Sequence, residues 1–136
     1  MKTKKFKKEY IGVLDGKLLD LNGTIDAPIA RKSDSIIERC VDFENGDKSI
    51  TYYKILKATS DYSIVHFILG TGRTHQIRVH SAYIGHPIIG DTLYGNKSEQ
   101  ISRQALHAYR ISFIHPISKK EMVLESDVPE DMRIFF

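Results

Sequence analysis

Residues 62–84 read YSIVHFILGTGRTHQIRVHSAYI, and the periodicity of the side chains changes within this stretch. The run Tyr62–Leu69 is rich in β-branched and aromatic residues and is largely apolar on both faces, which predicts a central strand. The run Thr74–Ile84 has helical spacing, with Thr74 as the expected cap of its first turn. Gly85 follows at the place where helices end in positive φ. The stretch therefore predicts a strand that leads through two glycines into a helix.

The sequence on either side of this unit predicts further strands that are joined by tight turns. Three Asn-Gly or Asp-Gly pairs in the first half tolerate the positive φ of hairpin turns. Strands are predicted over Glu9–Leu14, Lys17–Leu21, Thr24–Ile29, Ser49–Ala58, Gln104–His115 and Glu121–Ser126, and residues 34–46 are predicted mostly as loop. The short connection before Tyr62 indicates an antiparallel hairpin with the preceding strand. The expected fold class is α+β, with a mostly antiparallel mixed sheet and few helices.

The composition restricts the class of protein. A chain of 136 residues suits a single domain over 1–136, and no apolar run approaches the length of a membrane span. The formal net charge of +3 permits an acidic partner such as RNA without requiring one. One cysteine, Cys40, forms no internal disulfide, which fits a reducing cytoplasm. Lysines crowd the N-terminus, either as a solvated end or as phosphate contacts: Lys2, Lys4, Lys5, Lys7 and Lys8.

The junction between the central strand and the helix has the features of an anion site. Free backbone N–H groups at a helix start attract anions, and Arg73 lies beside them. Arg78 gains nothing from the helix dipole in the first turn, which favours a nearby acidic partner. A surface helix with solvated charges is the alternative. A metal site is not expected, because His75 and His80 point away from each other on a helix and no HExxH pattern occurs.

Three runs of this region together resemble the signature of the RluA family of RNA pseudouridine synthases: TGRTHQIRVH at 71–80, GHPI at 85–88 and GDTLYG at 90–95. Lys8-Glu9-Tyr10 is similar to the family's KxY segment, and Leu106-His107-Ala108 is similar to its closing strand. The resemblance extends from about Lys7 to Met132 and implies part of the pseudouridine synthase catalytic fold. In the family, the HRLDxxTSG motif with the catalytic aspartate lies upstream of the KxY segment. No HRLD occurs in these 136 residues, so the chain looks like the C-terminal part of the catalytic domain.

The resemblance also implies a reaction and roles for particular residues. A pseudouridine synthase breaks the bond between C1′ and N1 of a flipped uridine and rejoins the base through C5, which requires no cofactor and no metal. Tyr10 would be the pocket tyrosine that packs on the uracil, and Arg78 would pair with the catalytic aspartate. Arg73, His75 and Gln76 are expected contacts to RNA phosphate or ribose, although His75 or Gln76 could instead bond the backbone at the junction.

We expect the chain alone not to convert uridine, and we expect Arg78 to lack its charge partner. A sheet without its upstream strands would leave an edge unpaired, which predicts self-association. The expected partner is structured RNA, ribosomal or transfer, in the cytoplasm and away from the membrane. A non-catalytic RNA-binding remnant or regulator is the first alternative, and a structural or interaction protein with the same fold is the second.

Overall fold

The structure, a computed structural model, describes residues 6–136, and of Phe6 it describes the backbone alone. Lys2, Lys4 and Lys5 of the N-terminal basic run lie outside these residues. The secondary structure elements are β1 Phe6–Asp15, β2 Asn22–Asp26, β3 Ile29–Arg31, β4 Arg39–Val41, β5 Ile50–Ala58, β6 Tyr62–Leu69, helix α1 Gln76–Tyr83, β7 Leu106–Ile114, β8 Glu121–Glu125 and a 3-10 helix Glu130–Phe135.

Six strands form one antiparallel sheet in the order β2-β5-β6-β1-β7-β8, and β3 pairs with β4 in a separate two-stranded sheet. The α+β class and the interior place of β6 are therefore confirmed. The hairpin between β5 and β6 is confirmed as well, with Thr51 opposite Leu69 at its open end. Strand β1 lies at the centre, so that Tyr10 pairs with Phe67 on one side and Ala108 on the other.

The two helices cover opposite faces of this sheet. Helix α1 contacts the face of Thr51, because the His80 ring and the Thr51 hydroxyl are 2.8 Å apart. The 3-10 helix contacts the face of Tyr62, whose hydroxyl donates to the Phe135 carbonyl at 2.8 Å and whose ring meets the Phe135 ring edge-on. Leu69 and Tyr62 are seven positions apart in β6 and so point to opposite faces. Burial of both faces explains why β6 is largely apolar on both of them.

The predicted strand over Lys17–Leu21 is wrong. The Leu18 side chain is buried in the core. The backbone N–H of Leu18 donates to the Ser63 hydroxyl at 3.0 Å rather than to the backbone of a neighbouring strand. Leu19 and Leu21 are 90% and 78% exposed. These two leucines therefore do not form the buried face that a half-buried strand would have. The segment instead crosses from the end of β1 to the edge of the sheet.

The predicted strand over Thr24–Ile29 is interrupted, because β2 ends at Asp26 and β3 begins at Ile29. Between them, Ala27 donates its N–H to the Ser49 carbonyl and accepts from the His80 ring with its own carbonyl. The chain therefore leaves the large sheet at Ala27 and enters the small one.

Helix α1 is shorter than predicted, and Thr74 does not cap it. The N-cap position is His75, which has φ 56° in the left-handed region and makes no side-chain cap bond. Gly85 has φ +88°, which confirms the expected end of the helix. Neither helix of residues 6–136 has the length and apolar character that a membrane-spanning helix requires.

Candidate functional site

Arg78 and Asp91 form a two-armed ion pair at the base of the site. The Nε and Nη2 groups of Arg78 donate to Oδ2 and Oδ1 of Asp91, each at 2.9 Å. The Asp91 side chain is fully buried and that of Arg78 is 16% exposed. Such parallel hydrogen bonds fix the plane of a guanidinium as well as its distance. The expectation of a nearby acidic partner is confirmed, and the expectation that Arg78 lacks a charge partner is wrong.

The loop after Asp91 places a second group against Arg78. Oδ1 of Asp91 accepts the backbone N–H groups of Leu93 and Tyr94, at 3.1 and 3.2 Å, which closes a tight turn. That turn places the Tyr94 ring beneath the guanidinium, 5.2 Å from its Cζ atom to the ring centroid. A cation over an aromatic face is attracted to it. Hydrogen bonding from Arg78 holds the pKa of Asp91 low against the opposing effect of burial.

The hydroxyl of Tyr94 connects the small sheet with the start of helix α1. It accepts the backbone N–H of Arg39 in β4 at 2.9 Å and lies 2.7 Å from Nδ1 of His75. The His75 ring meets the Tyr94 ring edge-on, with 5.5 Å between centroids. Burial and the positive charges of Arg78 and Arg39 lower the pKa of His75, so its ring is neutral at neutral pH.

Gln76 is buried at the junction, and all of its amide partners are protein groups. Its Nε2 group donates to the Ile50 carbonyl at 2.7 Å and to the Thr51 hydroxyl at 2.9 Å. Its Oε1 atom accepts from the Thr71 hydroxyl and from the Arg73 N–H, at 2.7 and 3.0 Å. With a relative exposure of 2%, the Gln76 residue ties the end of β6 to the start of α1. Gln76 was predicted either to contact RNA or to bond the backbone at this junction. In the structure its side chain bonds the backbone of Arg73 and Ile50.

Arg73 and Tyr10 lie in different surroundings. Arg73 is exposed, and its Nε donates to the Lys48 carbonyl at 2.9 Å. Tyr10 is half-buried on β1, where burial raises the pKa of its hydroxyl. Within residues 6–136, no hydrogen bond joins Tyr10 to Arg78. The structure thus connects Arg78 and His75 through Tyr94, whose ring lies under the guanidinium and whose hydroxyl is 2.7 Å from Nδ1 of His75. Arg73 and Gln76 lie beside them, whereas Tyr10 stands apart on the sheet.

A second polar cluster surrounds Glu9, which lies next to Tyr10 in β1. The Glu9 side chain is 4% exposed, and its Oε1 atom is 2.8 Å from Nε2 of His66. Tyr109 donates to the same carboxylate at 3.3 Å and Arg110 at 3.4 Å. A β-bulge between Glu9 and Tyr10 shifts the pairing of β1 with β7 by one residue. Despite burial, hydrogen bonding from His66 and the nearby cations lower the pKa of Glu9.

Sequence reasoning singled out Arg78 and His75 but missed Asp91, Tyr94 and Glu9. Asp91 and Tyr94 lie in the GDTLYG run, so a signal existed in the spacing of an acid and an aromatic residue three positions apart. Glu9 gave no signal, because a single acid within a strand is usually a solvated one. In residues 6–136, no group of three or more His, Cys, Asp or Glu side chains is arranged to hold a metal ion.

Comparison with known proteins places this geometry in a family. The family model described as RNA pseudouridylate synthase matches residues 1–83. The RNA pseudouridine synthase YjbO of Bacillus subtilis is 48% identical over 126 residues, which cover 93% of this chain and 44% of that protein. The ribosomal large subunit pseudouridine synthase D of Zymomonas mobilis is 36% identical over 139 residues, which cover 95% of this chain and 44% of that protein. The chain thus spans less than half the length of these curated relatives.

A solved structure of human RNA pseudouridylate synthase domain containing 1 superposes with a TM-score of 0.79 at 29% identity. The match covers 92% of this chain and 56% of the human one. The sheet order and helix α1 therefore belong to a known architecture, and the signature runs at 71–80 and 90–95 lie within it. On this evidence the chain belongs to the RluA family of RNA pseudouridine synthases.

Proposed function

We propose that residues 1–136 form a single, partial catalytic domain of a pseudouridine synthase that isomerises a flipped uridine in ribosomal or transfer RNA. The observation that carries the proposal is the Arg78 guanidinium, which is fixed by Asp91 at 2.9 Å in the most family-specific run of the sequence. An arginine held this rigidly near the junction of strand and helix is suited to orient an anionic group. An RNA substrate implies a cytoplasmic enzyme.

In the proposed reaction, the bond between N1 and C1′ breaks, the base turns, and a bond between C5 and C1′ forms. The C5 proton leaves and N1 acquires a proton, so the isomerisation needs no redox partner. Tyr10 would pack against the uracil, and its hydroxyl is protonated at neutral pH because burial raises its pKa. That state suits Tyr10 to donate a proton or a hydrogen bond to the base. Arg78 would pair with the catalytic carboxylate, which no HRLD motif supplies in this sequence.

The contacts to RNA are proposed at the rim of the site. Arg73 is exposed, and of its side-chain nitrogens only Nε makes a hydrogen bond within the described part of the chain, to the Lys48 carbonyl at 2.9 Å. The neutral His75 ring stands between Arg73 and Arg78 in the chain and adds a hydrogen bond or a stacking surface without charge. Gln76 would contribute from beneath, by holding the backbone of Arg73 in place.

RNA binding can be tested by titrating a labelled ribosomal or transfer RNA fragment with the chain at several salt concentrations. We expect binding that weakens as salt increases, and Arg73→Gln should weaken it and reduce the salt slope by about 1. Arg133→Gln is the matched control, because Arg133 is also exposed and donates its Nε to a backbone carbonyl, that of Val128 at 3.1 Å. Equal effects of the two variants would contradict the proposed contact.

Catalysis can be tested by measuring pseudouridine in RNA that has been incubated with the chain alone. We expect no conversion, since no residue of this sequence stands in the HRLD context. RNA binding without conversion fits both the partial catalytic domain and the alternative, a non-catalytic remnant or regulator, and conversion after a segment with the HRLD motif is joined to the chain would favour the catalytic domain. Conversion by the chain alone would overturn the expected inactivity, and absence of RNA binding at low salt would favour an interaction protein instead.

We also propose that the chain self-associates through the outer edge of β8. Within residues 6–136 this strand pairs with β7 on one side only, and Val123 and Leu124 are 48% and 57% exposed. An apolar strand with an open edge is prone to pair with another chain. Val123→Lys should therefore shift the protein towards monomer in size-exclusion chromatography with light scattering. A monomeric parent chain at high concentration would disprove self-association.

A further inference from the structure

The guanidinium of Arg78 is held on one side and open on the other. Asp91 occupies Nε and Nη2, and the Tyr94 ring lies 5.2 Å from Cζ. No hydrogen bond of residues 6–136 uses Nη1, and the Arg78 side chain is 16% exposed. A guanidinium has five N–H groups, so three remain after the side-on pair, two of them on Nη1, and another group can still bind there. The direction of this open side is therefore set by the pair with Asp91.

Asp91 is held more firmly than a simple charge partner needs to be. Its carboxylate is fully buried and accepts the N–H groups of Leu93 and Tyr94 in addition to Arg78. These bonds connect the orientation of the carboxylate with the loop that carries the Tyr94 ring. The Tyr94 hydroxyl is in turn held by the Arg39 N–H and by His75. Arg78 is thus fixed both in its plane and along its axis.

We propose that Asp91 is a positioning residue, which aims the open Nη1 side of Arg78 at an oxyanion of the substrate complex. The oxyanion is an RNA phosphate or a side-chain carboxylate, since both accept from a guanidinium in the same way. The assignment rests on the proposed function for the identity of that anion. It does not rest on that function for the orientation of Arg78, which follows from the geometry of residues 78–94.

Two effects of Asp91 on anion binding have opposite signs, and this makes the proposal testable. As a negative charge near Arg78, Asp91 repels an anion, so its neutralisation alone would strengthen anion binding. As a positioning group, it keeps Arg78 from becoming mobile, so its neutralisation would weaken anion binding. The Asp91→Asn variant decides between these, because an asparagine Oδ1 can still accept from Leu93 and Tyr94 while the two-armed charged pair is lost.

The chain offers a matched control. Arg103 and Asp131 form the same side-on pair, with Nε to Oδ2 at 3.0 Å and Nη2 to Oδ1 at 2.9 Å, but their side chains are 38% and 45% exposed. Asp131→Asn therefore removes the same charge and the same type of bond away from the site. It should leave anion binding unchanged or slightly stronger.

The experiment measures the affinity of the chain for a short uridine-containing RNA, and separately the shift of the Arg78 Nε–H resonance with acetate at constant ionic strength. Arg78→Lys identifies that resonance, because it removes it. We expect Asp91→Asn to weaken RNA binding about ten-fold despite the gain in net positive charge, and to broaden the Arg78 signal. Arg78→Lys retains the positive charge but lacks the two-armed guanidinium, so it should weaken RNA binding by a similar factor. This variant provides the test if Asp91→Asn fails to fold.

The outcomes separate the two proposals. Weaker RNA binding by Asp91→Asn supports positioning towards phosphate, and an acetate shift lost in Asp91→Asn supports positioning towards carboxylate. An acetate shift without any RNA binding would remove the proposed RNA function and leave the positioning role standing. Equal or tighter binding of both anions by Asp91→Asn would overturn the positioning role, as would an absence of response to either anion in the parent chain.

Discussion

The His80 ring and the Thr51 hydroxyl lie 2.8 Å apart beneath helix α1, in a contact from which solvent is excluded. The other ring nitrogen, Nε2, is 2.8 Å from the Ala27 carbonyl and must donate to it, because a carbonyl only accepts. Nδ1 therefore accepts from Thr51, whose oxygen also accepts from Gln76 at 2.9 Å. A neutral histidine thus joins helix α1 to β5 and to the connection between β2 and β3.

We expect His80→Ala to lower the free energy of unfolding by about 3 kcal/mol, since it leaves a cavity and removes the partners of Thr51 and Ala27. Urea denaturation followed by circular dichroism measures the change. His107→Ala is the control, because His107 bonds the Ser126 carbonyl at 3.1 Å in an exposed position. That control should change stability by less than about 1 kcal/mol, and similar losses in both variants would contradict the role of His80.

The pH dependence of stability should carry the signature of His80. Burial lowers the pKa of His80 below its ordinary value of 6.5. The unfolded chain therefore binds a proton on this side chain at a higher pH than the folded chain does. The contribution of the neutral His80 ring to the free energy of unfolding is present above about pH 6.5 and is lost as the pH falls below that value. Denaturation at pH 7.5 and 5.5 should show this loss, and His80→Gln should reduce it; an unchanged loss in that variant would assign it to other groups.

Glu9 should be the most sensitive acidic residue of the central strand. Glu9→Ala leaves His66 and Arg110 without a buried acceptor, and we expect a loss of about 3 kcal/mol in chemical denaturation. Glu125→Ala is the matched control, because Glu125 binds the same Arg110 at 2.8 Å with a side chain that is 56% exposed. An exposed pair contributes about 0–1 kcal/mol. A larger effect at Glu125 than at Glu9 would reverse this ranking.

Three glycines of the signature region should respond differently to alanine. At Gly90, φ is +83° and a Cβ would collide with the Arg103 carbonyl oxygen, so Gly90→Ala should cost about 3 kcal/mol or more. Gly85 has φ +88° in open space, which leaves only the backbone cost of about 1 kcal/mol. Gly72 has neither constraint, so its substitution should be neutral or stabilise by about 0.5 kcal/mol. Melting temperatures of the three variants test this order.

Local patterns predicted the elements whose signal lies in neighbouring residues. Strand β6 was predicted with the bounds Tyr62–Leu69 that the structure has, because it is rich in β-branched and aromatic residues and largely apolar on both faces. The turn at Gly85 was also predicted from a local property, because glycine itself adopts positive φ readily. Lys17–Leu21 was predicted wrongly because its leucines mimic a strand, while only Leu18 reaches the core.

The remaining wrong predictions concern contacts that the propensity of a single residue does not describe. Thr74 has the usual chemistry of a helix cap, yet Gln76 takes the N–H of Arg73 through its own side chain, and the helix starts later. The partner of Arg78 is thirteen positions away, at Asp91, and only the fold brings the two together. A propensity describes one residue, whereas these bonds depend on the path of the chain.

Strand β1 lies between β6 and β7, although some ninety residues separate it from β7 in the sequence. The hairpins β5–β6 and β7–β8 can each form from neighbouring residues, but β1 has to enter between them before the sheet is continuous. During synthesis, β1 leaves the ribosome before β7, and it has no partner on its β7 side until the residues of β7 have followed. Closure of the sheet therefore depends on long-range pairing, which is typical of slowly folding proteins. The strand that carries Tyr10 is therefore paired on both sides only after β7 has joined it.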